Sequence, residues 1–540
     1  MRRLRPFVKL LGAVVVVAGC GGRGAVTFSI TAPSEPLLNP VAQPELVTEY
    51  DIRTASGNVI GIASAVQGSG SSGDGLLPLG ALMPTMGPED VYVTALTGGS
   101  TLGMARIKDV SISKGKTATY TAELRKPLVC VGAAMPAESA SGNKTAAVQV
   151  IDPLTAADLA KQPSSPVSIA GMTAAASTWD GRFVVAANGN ALTAWDTGSG
   201  KTVAGTLTLA FAPSRVVVAP RDQAIVALDP GSGADGSLAI ISDVAGFVGS
   251  PGSANPKIVR MPGAIARTAA FSPDGSKLYV LTGCTAVDPC APGATLTPNA
   301  IQVYGLDGSM TNMFALEGFA ADVTVDPQSG AIVVADVAGK QIATLDPASG
   351  APTKVLGNLT CPSAVRVVNG TVFAVTSDRD MPTNGFILQR VPLKGGASTA
   401  TPFTGPNYNI PIDSMPSTNG DIGMALLPVR PVSIDAYELA VTPDGSRAEF
   451  ATRAVYNEAN TKFMFSGEDC TANFNIVEYG LFAVDLRTGN ASYESRSQLV
   501  TQGKNDCVDC QLPSPFPDQV VGCQSTAGDK PAGLAATFGQ

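Results

Sequence analysis

The side chains in this chain that could do chemistry are cysteines and carboxylates, because its 540 residues include nine cysteines and no histidine. Without histidine the chain cannot build a Ser-His-Asp or Cys-His catalytic site. It also cannot hold zinc, copper, haem iron or non-haem iron through imidazole groups. This composition excludes histidine-based hydrolases and leaves carboxylate-metal chemistry open.

One cysteine, Cys20, ends a short amino-terminal segment that is typical of a secretion signal. Residues 1–9 carry the positive charges, and residues 10–18 form an apolar run that is too short to span a bilayer as a helix. Basic, apolar and small residues follow the order found in cleavable signals. The segment Val17–Cys20, Val-Ala-Gly-Cys, resembles the lipobox of bacterial lipoproteins.

The lipobox resemblance implies that the signal peptide, residues 1–19, is cut before Cys20 and that Cys20 is acylated on its sulfur and its new amine. Several acyl chains on one residue give stable membrane anchoring. Residues 20–24 would then be a short lipidated tether. The expected location is an exported lipoprotein of the outer membrane, at its periplasmic face or the cell surface. The alternative is an ordinary secretory signal with an incidental cysteine.

The other eight cysteines are an even number, as expected for disulfides in an exported protein. Cys284 and Cys290 lie in one turn-rich loop and could pair with each other. Cys507-Val-Asp-Cys510 has redox-motif spacing, but its flanking residues are typical of a loop, which favours a structural disulfide over a four-cysteine metal site or redox chemistry. The disulfide candidates are Cys130, Cys284, Cys290, Cys361, Cys470, Cys507, Cys510 and Cys523.

Two strand-rich regions must position these residues, and the first is residues 25–126. Alternation of apolar and polar residues is clear in Val91–Leu96 and Ala118–Leu124. About seven short strands in a region of this length are typical of a small β-sandwich. We therefore expect an all-β amino-terminal domain of this kind.

The second region, residues 127–505, repeats a unit of strand, turn and strand. Its clearest copies are Phe271–Thr282 and Val441–Thr452, in which Pro-Asp-Gly forms the turn. Strand ends at Asp152, Asp196, Asp243, Asp307, Asp346, Arg390 and Asp485 are spaced by 44, 47, 64, 39, 44 and 95 residues. Most of these spacings match the length of a four-stranded propeller blade, about 40 to 50 residues, and the last carries roughly one blade of extra sequence. This spacing predicts a β-propeller of about seven four-stranded blades, with long insertions in the last blade. Residues 506–540 would be a cysteine-containing carboxyl-terminal segment.

The Phe-Ser-Pro-Asp-Gly-x-x-Leu-Tyr-Val unit resembles that of bacterial YVTN-type seven-bladed propellers. Some enzymes of similar fold are lactonases, and one such group binds a divalent metal through Glu, Asn and Asp. The resemblance therefore implies that carboxylates near the blade loops could be ligands, although Asp in these turns more simply caps its own backbone. These carboxylates are Asp180, Asp222, Asp274, Asp326, Asp378 and Asp444. We assign no catalytic residue, metal or cofactor from the sequence.

The formal net charge of −8 argues against a nucleic-acid partner. Two long segments of the last repeat, Phe403–Pro431 and Tyr456–Ile476, are the best candidates for a binding surface. The predicted function is a lipid-anchored, non-catalytic binding or scaffolding module with a protein partner in the cell envelope. One alternative is a carboxylate-metal-dependent hydrolase or lactonase at the propeller channel. Another is an assembly component like the lipoproteins of outer-membrane machines.

Overall fold

The structure is a computed structural model in which nearly all regular structure is β-strand. Within the part of the chain that it describes, one α-helix occurs, α1 at Val244–Gly249, with 3₁₀ turns at Pro220–Asp222 and Pro251–Ser253. No described helix is long and apolar enough to cross a membrane. The described residues are 25–43, 46–55, 57–64, 86–114, 116–131, 137–138, 144–145, 149–155, 157–159, 162, 165–169, 172–229, 231, 235–283, 298–377, 385–403, 408–413, 424–429, 433–465, 468–502, 520–521 and 534–536.

The amino-terminal unit, residues 25–126, contains two sheets around one core. Its strands are Ala25–Thr31 (β1), Glu49–Thr54 (β2), Val59–Ser64 (β3), Met86–Thr97 (β4), Ser100–Ile112 (β5) and Thr117–Glu123 (β6). β1 and β6 pair in parallel, whereas the other four strands form an antiparallel sheet in the order β3-β2-β4-β5. Val91, Val93 and Ala95 of β4 are fully buried and alternate with less buried neighbours, which confirms the predicted alternation.

The rest of the chain forms a long series of short strands. The first are Val129–Val131 (β7), Ala137–Glu138 (β8), Lys144–Thr145 (β9), Gln149–Asp152 (β10) and Ala157–Asp158 (β11). Next come Ala174–Ser177 (β12), Phe183–Asn188 (β13), Ala191–Asp196 (β14), Lys201–Thr202 (β15), Leu207–Thr208 (β16), Arg215–Val218 (β17), Ile225–Asp229 (β18), Gly236–Ile241 (β19), Lys257–Met261 (β20), Ile265–Phe271 (β21), Lys277–Gly283 (β22), Ala300–Gly305 (β23) and Met310–Ala315 (β24). The last are Ala320–Val325 (β25), Ile332–Asp336 (β26), Gln341–Leu345 (β27), Pro352–Gly357 (β28), Pro362–Val368 (β29), Thr371–Ser377 (β30), Phe386–Pro392 (β31), Thr399–Phe403 (β32), Tyr408–Asp413 (β33), Met424–Val429 (β34), Ser433–Val441 (β35), Arg447–Phe465 (β36), Glu468–Asp485 (β37), Ala491–Gln502 (β38), Val520–Val521 (β39) and Leu534–Ala536 (β40).

Most of these strands belong to sheets built from consecutive antiparallel strands. We number them sheet 1 (β12–β16), sheet 2 (β17–β20), sheet 3 (β21–β24), sheet 4 (β25–β28), sheet 5 (β29–β32), sheet 6 (β35–β39) and sheet 7 (β40, β7, β10 and β11). The first strand of each of sheets 1 to 5 contacts the first strand of the next sheet. Strand β40 contacts both β35 and β12, so these inner strands form a closed, propeller-like ring.

Sheet 7 joins the two ends of the ring. β40 pairs antiparallel with β7, so that Leu534 lies opposite Val131 and Ala536 opposite Val129. Sequence analysis placed the residues of β40 in a separate carboxyl-terminal segment, but in the structure they supply the inner strand of a sheet. Pairing early and late strands in one sheet closes the ring by hydrogen bonds instead of leaving two open edges.

Apolar cores lie between neighbouring sheets of the ring. The largest aromatic cluster, between sheets 5 and 6, brings Phe386 within 5.2 to 5.3 Å, between ring centroids, of Phe403, Phe450 and Phe482. Between sheets 1 and 2, alternate apolar residues of their inner strands and second strands pack together. The second strands, such as β13 and β26, are covered on both faces and are therefore nearly continuous apolar runs, whereas outer strands such as β20 and β24 are largely exposed.

The predicted Pro-Asp-Gly turns are confirmed between first and second strands. In the turn from Ser272 to Ser276, the Asp274 carboxylate accepts hydrogen bonds from the Ser272 hydroxyl at 2.5 Å and the Ser276 amide at 3.1 Å. Gly275 has φ of +71°, a left-handed conformation that favours glycine. Asp180, Asp326 and Asp444 cap their own turns in the same way, whereas Asp378 lies outside the described residues.

Candidate functional site

The ring has two faces that differ in their connections. Because the strands of each sheet are antiparallel, the turns between first and second strands all lie on one face, which we call the turn face. Connections between second and third strands, and those that lead to the next sheet, lie on the opposite face, the loop face. The β36–β37 hairpin, which contains Tyr456–Ile476, one of the two segments predicted as a binding surface, lies on the loop face, and its strands have 19 and 18 residues. Much of the other segment, Phe403–Pro431, lies outside the described residues.

The amino-terminal unit contacts the turn face at sheet 1 through a buried arginine. Arg106 of β5 donates a hydrogen bond from Nη1 to the carbonyl oxygen of Trp179 at 2.8 Å. Its guanidinium carbon lies 5.2 Å from the ring centroid of Tyr92 and 5.6 Å from that of Trp179. Burial lowers the pKa of Arg106, while Tyr92 and nearby aspartates oppose that change. The two rings also contact each other edge to face, with centroids 6.2 Å apart, so the cation lies beside both rings of one aromatic pair.

At sheet 2 the contact holds an unusual backbone turn. Arg221 and Asp222 have φ of +59° and +56°, although neither is glycine. Arg221 pairs with Asp90 at 3.1 Å and with Asp109 at 2.7 Å, both in the amino-terminal unit. Left-handed conformations of such residues cost on the order of 1 kcal/mol and persist where surrounding contacts impose them. The amino-terminal unit supplies those contacts.

Asp222 differs from the aspartates that cap their own turns. Its Oδ1 accepts a hydrogen bond from the Trp179 amide at 2.5 Å, and its Oδ2 lies 3.5 Å from Lys108 Nζ. Burial raises the pKa of Asp222, as does Asp180, although the hydrogen bond and Lys108 act in the opposite direction. This carboxylate therefore joins two sheets and the amino-terminal unit.

A further contact of the amino-terminal unit is at sheet 6. Asp444 Oδ2 accepts hydrogen bonds from the amide and the hydroxyl of Thr101, at 3.1 and 2.8 Å, while Oδ1 serves its own turn. Burial would raise the pKa of Asp444, but hydrogen bonds from Thr442, Ser446 and Thr101 hold it below its ordinary value.

Two cations at the end of the amino-terminal unit reach the remaining neighbours. Buried Arg125 pairs with Asp196 of sheet 1 at 3.3 Å, and Lys126 pairs with Asp152 of sheet 7 at 3.0 Å. The unit is therefore fixed across four consecutive sheets of the ring, numbers 6, 7, 1 and 2.

The centre of the ring holds a second polar arrangement, on the inner strands. Arg215 of sheet 2 and Glu438 of sheet 6 form a two-point ion pair with both N–O distances at 2.7 Å. These two sheets are not neighbours in the ring, so the pair crosses the central channel. Burial would lower the pKa of Arg215, but Glu438 and Asp322 outweigh it and the pKa is raised.

Asp322 of sheet 4 belongs to the same cluster. Its Oδ2 accepts hydrogen bonds from Arg366 Nη1 at 2.7 Å and from the Val365 amide at 3.0 Å. Arg267 of sheet 3 lies nearby, with its guanidinium 4.8 Å from the Phe319 ring centroid. Burial and Arg215 lower the pKa of Arg267, whereas Asp322 raises it. We call these five side chains the channel cluster: Arg215, Arg267, Asp322, Arg366 and Glu438.

The structure corrects one of the predicted disulfide candidates. Cys130 is a free thiol in β7, fully buried between β40 and β10, and burial raises its pKa to about 12. An even number of cysteines does not require that every cysteine pairs with another. Cys130 remains a free thiol because strands β40 and β10 enclose it within sheet 7. Cys361 is disulfide-bonded. Cys470 lies in β37, and the predicted sites outside the described residues are Cys20, Cys284, Cys290, Cys507, Cys510 and Cys523.

Sequence reasoning missed the charged residues that organise both arrangements. Arg366 interrupts the apolar run Ala-Val-Arg-Val-Val, whereas Arg215 directly precedes the run Val-Val-Val. A charged residue within or beside an apolar strand was the available signal. Arg106 stands in an alternating strand and gave no such signal. Among the described residues, no group of three or more Cys, Asp or Glu could hold a metal ion.

No protein family model and no curated protein matches this chain. Solved structures with some likeness include a Bacteroides fragilis protein provisionally assigned as a 6-phosphogluconolactonase, at 13% identity and a TM-score of 0.40 over 76% of this chain and 98% of that one. Hydrazine synthase from Kuenenia stuttgartiensis matches at 12% identity and a TM-score of 0.37, over 64% and 89% of the two chains. The dihydro-heme d1 dehydrogenase NirN matches at 12% identity and a TM-score of 0.37, over 70% and 74%. These likenesses carry no argument about function.

Proposed function

We propose that this chain is a lipid-anchored, non-catalytic binding or scaffolding protein of the cell envelope. Its ring of sheets is a seven-bladed β-propeller, and its amino-terminal unit is a small β-sandwich that docks on the propeller. The lipid is attached at Cys20, which precedes the first strand by only a few residues.

The observation that carries the proposal is the docking of the amino-terminal unit on the turn face. Ion pairs and hydrogen bonds to sheets 6, 7, 1 and 2 prevent the unit from rotating freely against the propeller. A lipid at the start of that unit therefore holds the turn face towards the membrane. The loop face, with its extended β36–β37 hairpin, is presented to partners.

The channel cluster favours binding over carboxylate-metal hydrolysis. Glu438 is held by Arg215 and Asp322 by Arg366, so each channel carboxylate already lies against a guanidinium. A divalent cation at either carboxylate would have to displace an arginine or approach it closely, which like-charge repulsion opposes. The lactonase alternative predicts metal-dependent turnover of lactones, and such activity in purified protein would replace our proposal.

Lipid anchoring is tested with a Cys20→Ala variant expressed in a Gram-negative host. The unaltered chain should partition into the detergent phase with the membranes, whereas Cys20→Ala should stay in the aqueous phase. Cys130→Ala is the matched control, because it removes a cysteine that is buried in the propeller. Equal detergent partitioning of the Cys20→Ala variant would contradict anchoring at this residue.

The loop face is tested by shortening the β36–β37 hairpin. Tyr456 lies opposite Ile476, so joining them through an Asn-Gly turn removes the extension and keeps the register of the remaining sheet. Chemical crosslinking in intact envelopes should capture a partner with the full-length chain and much less of it with the shortened one. Undiminished capture by the shortened chain, with an unchanged melting temperature, would exclude the hairpin as the binding surface.

A further inference from the structure

Sheet 7, which closes the ring, is made of short strands. Its strands β7, β10, β11 and β40 have two to four residues each, whereas the four strands of sheet 3 have six or seven. Few backbone hydrogen bonds can therefore form between neighbouring strands of sheet 7. Among the described side chains, the core between sheets 6 and 7 is aliphatic and consists of Val129, Val131, Ile151, Ala440 and Leu481. Sheet 7 by itself is thus a weak closure of the ring.

The amino-terminal unit supplies part of the core on the other side of sheet 7, towards sheet 1. Leu38, which lies between β1 and β2, is fully buried in that core with Cys130 of β7 and Trp195 of β14. Its Cδ1 lies so close to Gly200 that a Cβ there would be 3.2 Å away. In the opposite direction, Leu154 of the turn between β10 and β11 packs against the core of the amino-terminal unit. Undocking of the unit would therefore expose apolar surface on both sides of the contact.

The amino-terminal unit is also attached to sheet 6, by the turn between β4 and β5. Arg487, in the turn between β37 and β38, donates hydrogen bonds to the Ser100 hydroxyl at 3.0 Å and to the Gly99 carbonyl oxygen. Next to these contacts, the amide and the hydroxyl of Thr101 donate to Asp444. The unit therefore contacts both neighbours of sheet 7.

The amino-terminal unit, sheet 6 and sheet 7 meet at one place on the turn face. A small cavity there has room for about one water molecule and is lined by Thr101 of the unit, Pro153 beside β10 and Ser446 of the sheet 6 turn. Asp152, which precedes Pro153, forms the ion pair with Lys126 of the unit. The boundary between sheets 6 and 7 thus ends beneath the unit, which is bonded to the sheet on each side of it.

We propose that the amino-terminal unit is a clasp: the ring opens at the boundary between sheets 6 and 7 when the unit is released from the turn face, and it stays closed while the unit is docked. Within the ring, this boundary is held by a short inner strand and an aliphatic core. Release of the unit and opening of the ring would then be one cooperative event. A partner that binds the released unit would shift the ring towards its open state.

The test is hydrogen exchange of the full chain in low concentrations of urea, followed by mass spectrometry. The Thr101 amide, which donates to Asp444, reports release of the unit, and the amides of β40 and β7 report opening of the ring. We expect these two sets of amides to exchange with one opening free energy, which is lower than that of β22 and β26 in sheets 3 and 4. Different opening free energies for the two sets would overturn the inference, as would exchange of the β40 amides only on global unfolding.

A variant at the sheet 6 attachment tests the same coupling. Arg487→Met should raise the exchange rates of both sets by the same factor, about threefold, because it removes a partly exposed attachment. Arg53→Met is the matched control, since its side chain is 50% exposed, against 41% for Arg487, but pairs with Asp51 within the unit. Exchange of both sets should be unchanged in this control.

Faster exchange of the Thr101 amide alone in Arg487→Met would show that the ring stays closed without the docked unit, and would overturn the inference. Unchanged exchange of β22 and β26 shows that the rest of the ring remains folded in the variant. The inference does not depend on the lipid anchor or on a protein partner, so the partitioning and crosslinking experiments judge the proposed function separately.

Discussion

The two faces of the ring are built from the same strands but differ in how their connections are held. On the turn face, aspartate side chains cap their own turns between first and second strands, and the amino-terminal unit contacts sheets 6, 7, 1 and 2. On the loop face, β36 and β37 extend well beyond the other described strands, whereas other connections, such as the one between β13 and β14, are short. In such a repeated fold, the connections at one end of the strands can hold another domain, while the connections at the other end remain available for binding.

The largest expected loss of stability comes from breaking the ion pair in the channel, which lies between the two faces. Glu438→Met should lower the free energy of unfolding by about 3 kcal/mol, because it leaves Arg215 buried without its partner. The double variant Arg215→Met/Glu438→Met should recover most of that loss, because apolar replacement of both partners is often nearly neutral. Urea unfolding of both variants measures the coupling. If the double variant is as unstable as the single one, the pair does not act as a unit.

A smaller loss is expected when the docking itself is weakened. Arg106→Met removes the cation beside Tyr92 and Trp179, together with its hydrogen bond to the Trp179 carbonyl, and should lower the free energy of unfolding by about 2 kcal/mol. The matched control is Arg53→Met, because Arg53 is half exposed and pairs with nearby Asp51 at 2.7 Å, and its change should be under about 1 kcal/mol. Equal losses in the two variants would show that the turn face is not held through Arg106.

Comparing two equivalent turns distinguishes the contribution of docking to the free energy of unfolding from the contribution of the turn itself. Asp274 and Asp444 cap equivalent Pro-Asp-Gly turns, but only Asp444 also accepts hydrogen bonds from Thr101. Asp444→Asn should therefore cost about 1 kcal/mol more than Asp274→Asn in urea unfolding. Equal costs would mean that the hydrogen bonds to Thr101 contribute nothing to stability.

The smallest effect is a difference in pH dependence within the turn face. The pKa of Asp444 is below its ordinary value, so its stabilising contribution is present above the unfolded pKa and is lost as pH falls through the folded pKa. The pKa of Asp222 is raised, so stability is gained as pH falls through that raised value. Unfolding of Asp444→Asn and Asp222→Asn between pH 3 and 6 should show opposite slopes relative to the unaltered chain. Slopes of the same sign would contradict the assigned environments.

Local features of the fold were predictable from the sequence because they depend on neighbouring residues. The turn from Ser272 to Ser276 contains its own capping groups, and the alternation of Val91 to Leu96 marks the buried face of β4. The spacing of the repeats predicted antiparallel sheets of about four strands each, as most sheets of the ring have. Each of these properties is encoded within one strand or one turn.

The candidate sites were less predictable because their partners are far apart in sequence. Arg215 and Glu438 are separated by 223 positions, and their pairing requires the curvature of the whole ring. Cys130 was assigned by counting cysteines, whereas its state depends on which strands enclose it. Arg106 needs an aromatic ring from another sheet before its role can be recognised.

The pairing of β40 with β7 has a consequence for the order in which the molecule is made. The chain emerges from its amino terminus, so β7 is available long before Leu534–Ala536 has been synthesised. Sheet 7 therefore cannot be completed until Leu534–Ala536 has been synthesised, after all six other sheets of the ring. A chain that stops before Leu534 lacks the inner strand of sheet 7 and leaves one edge of β7 without its backbone hydrogen bonds.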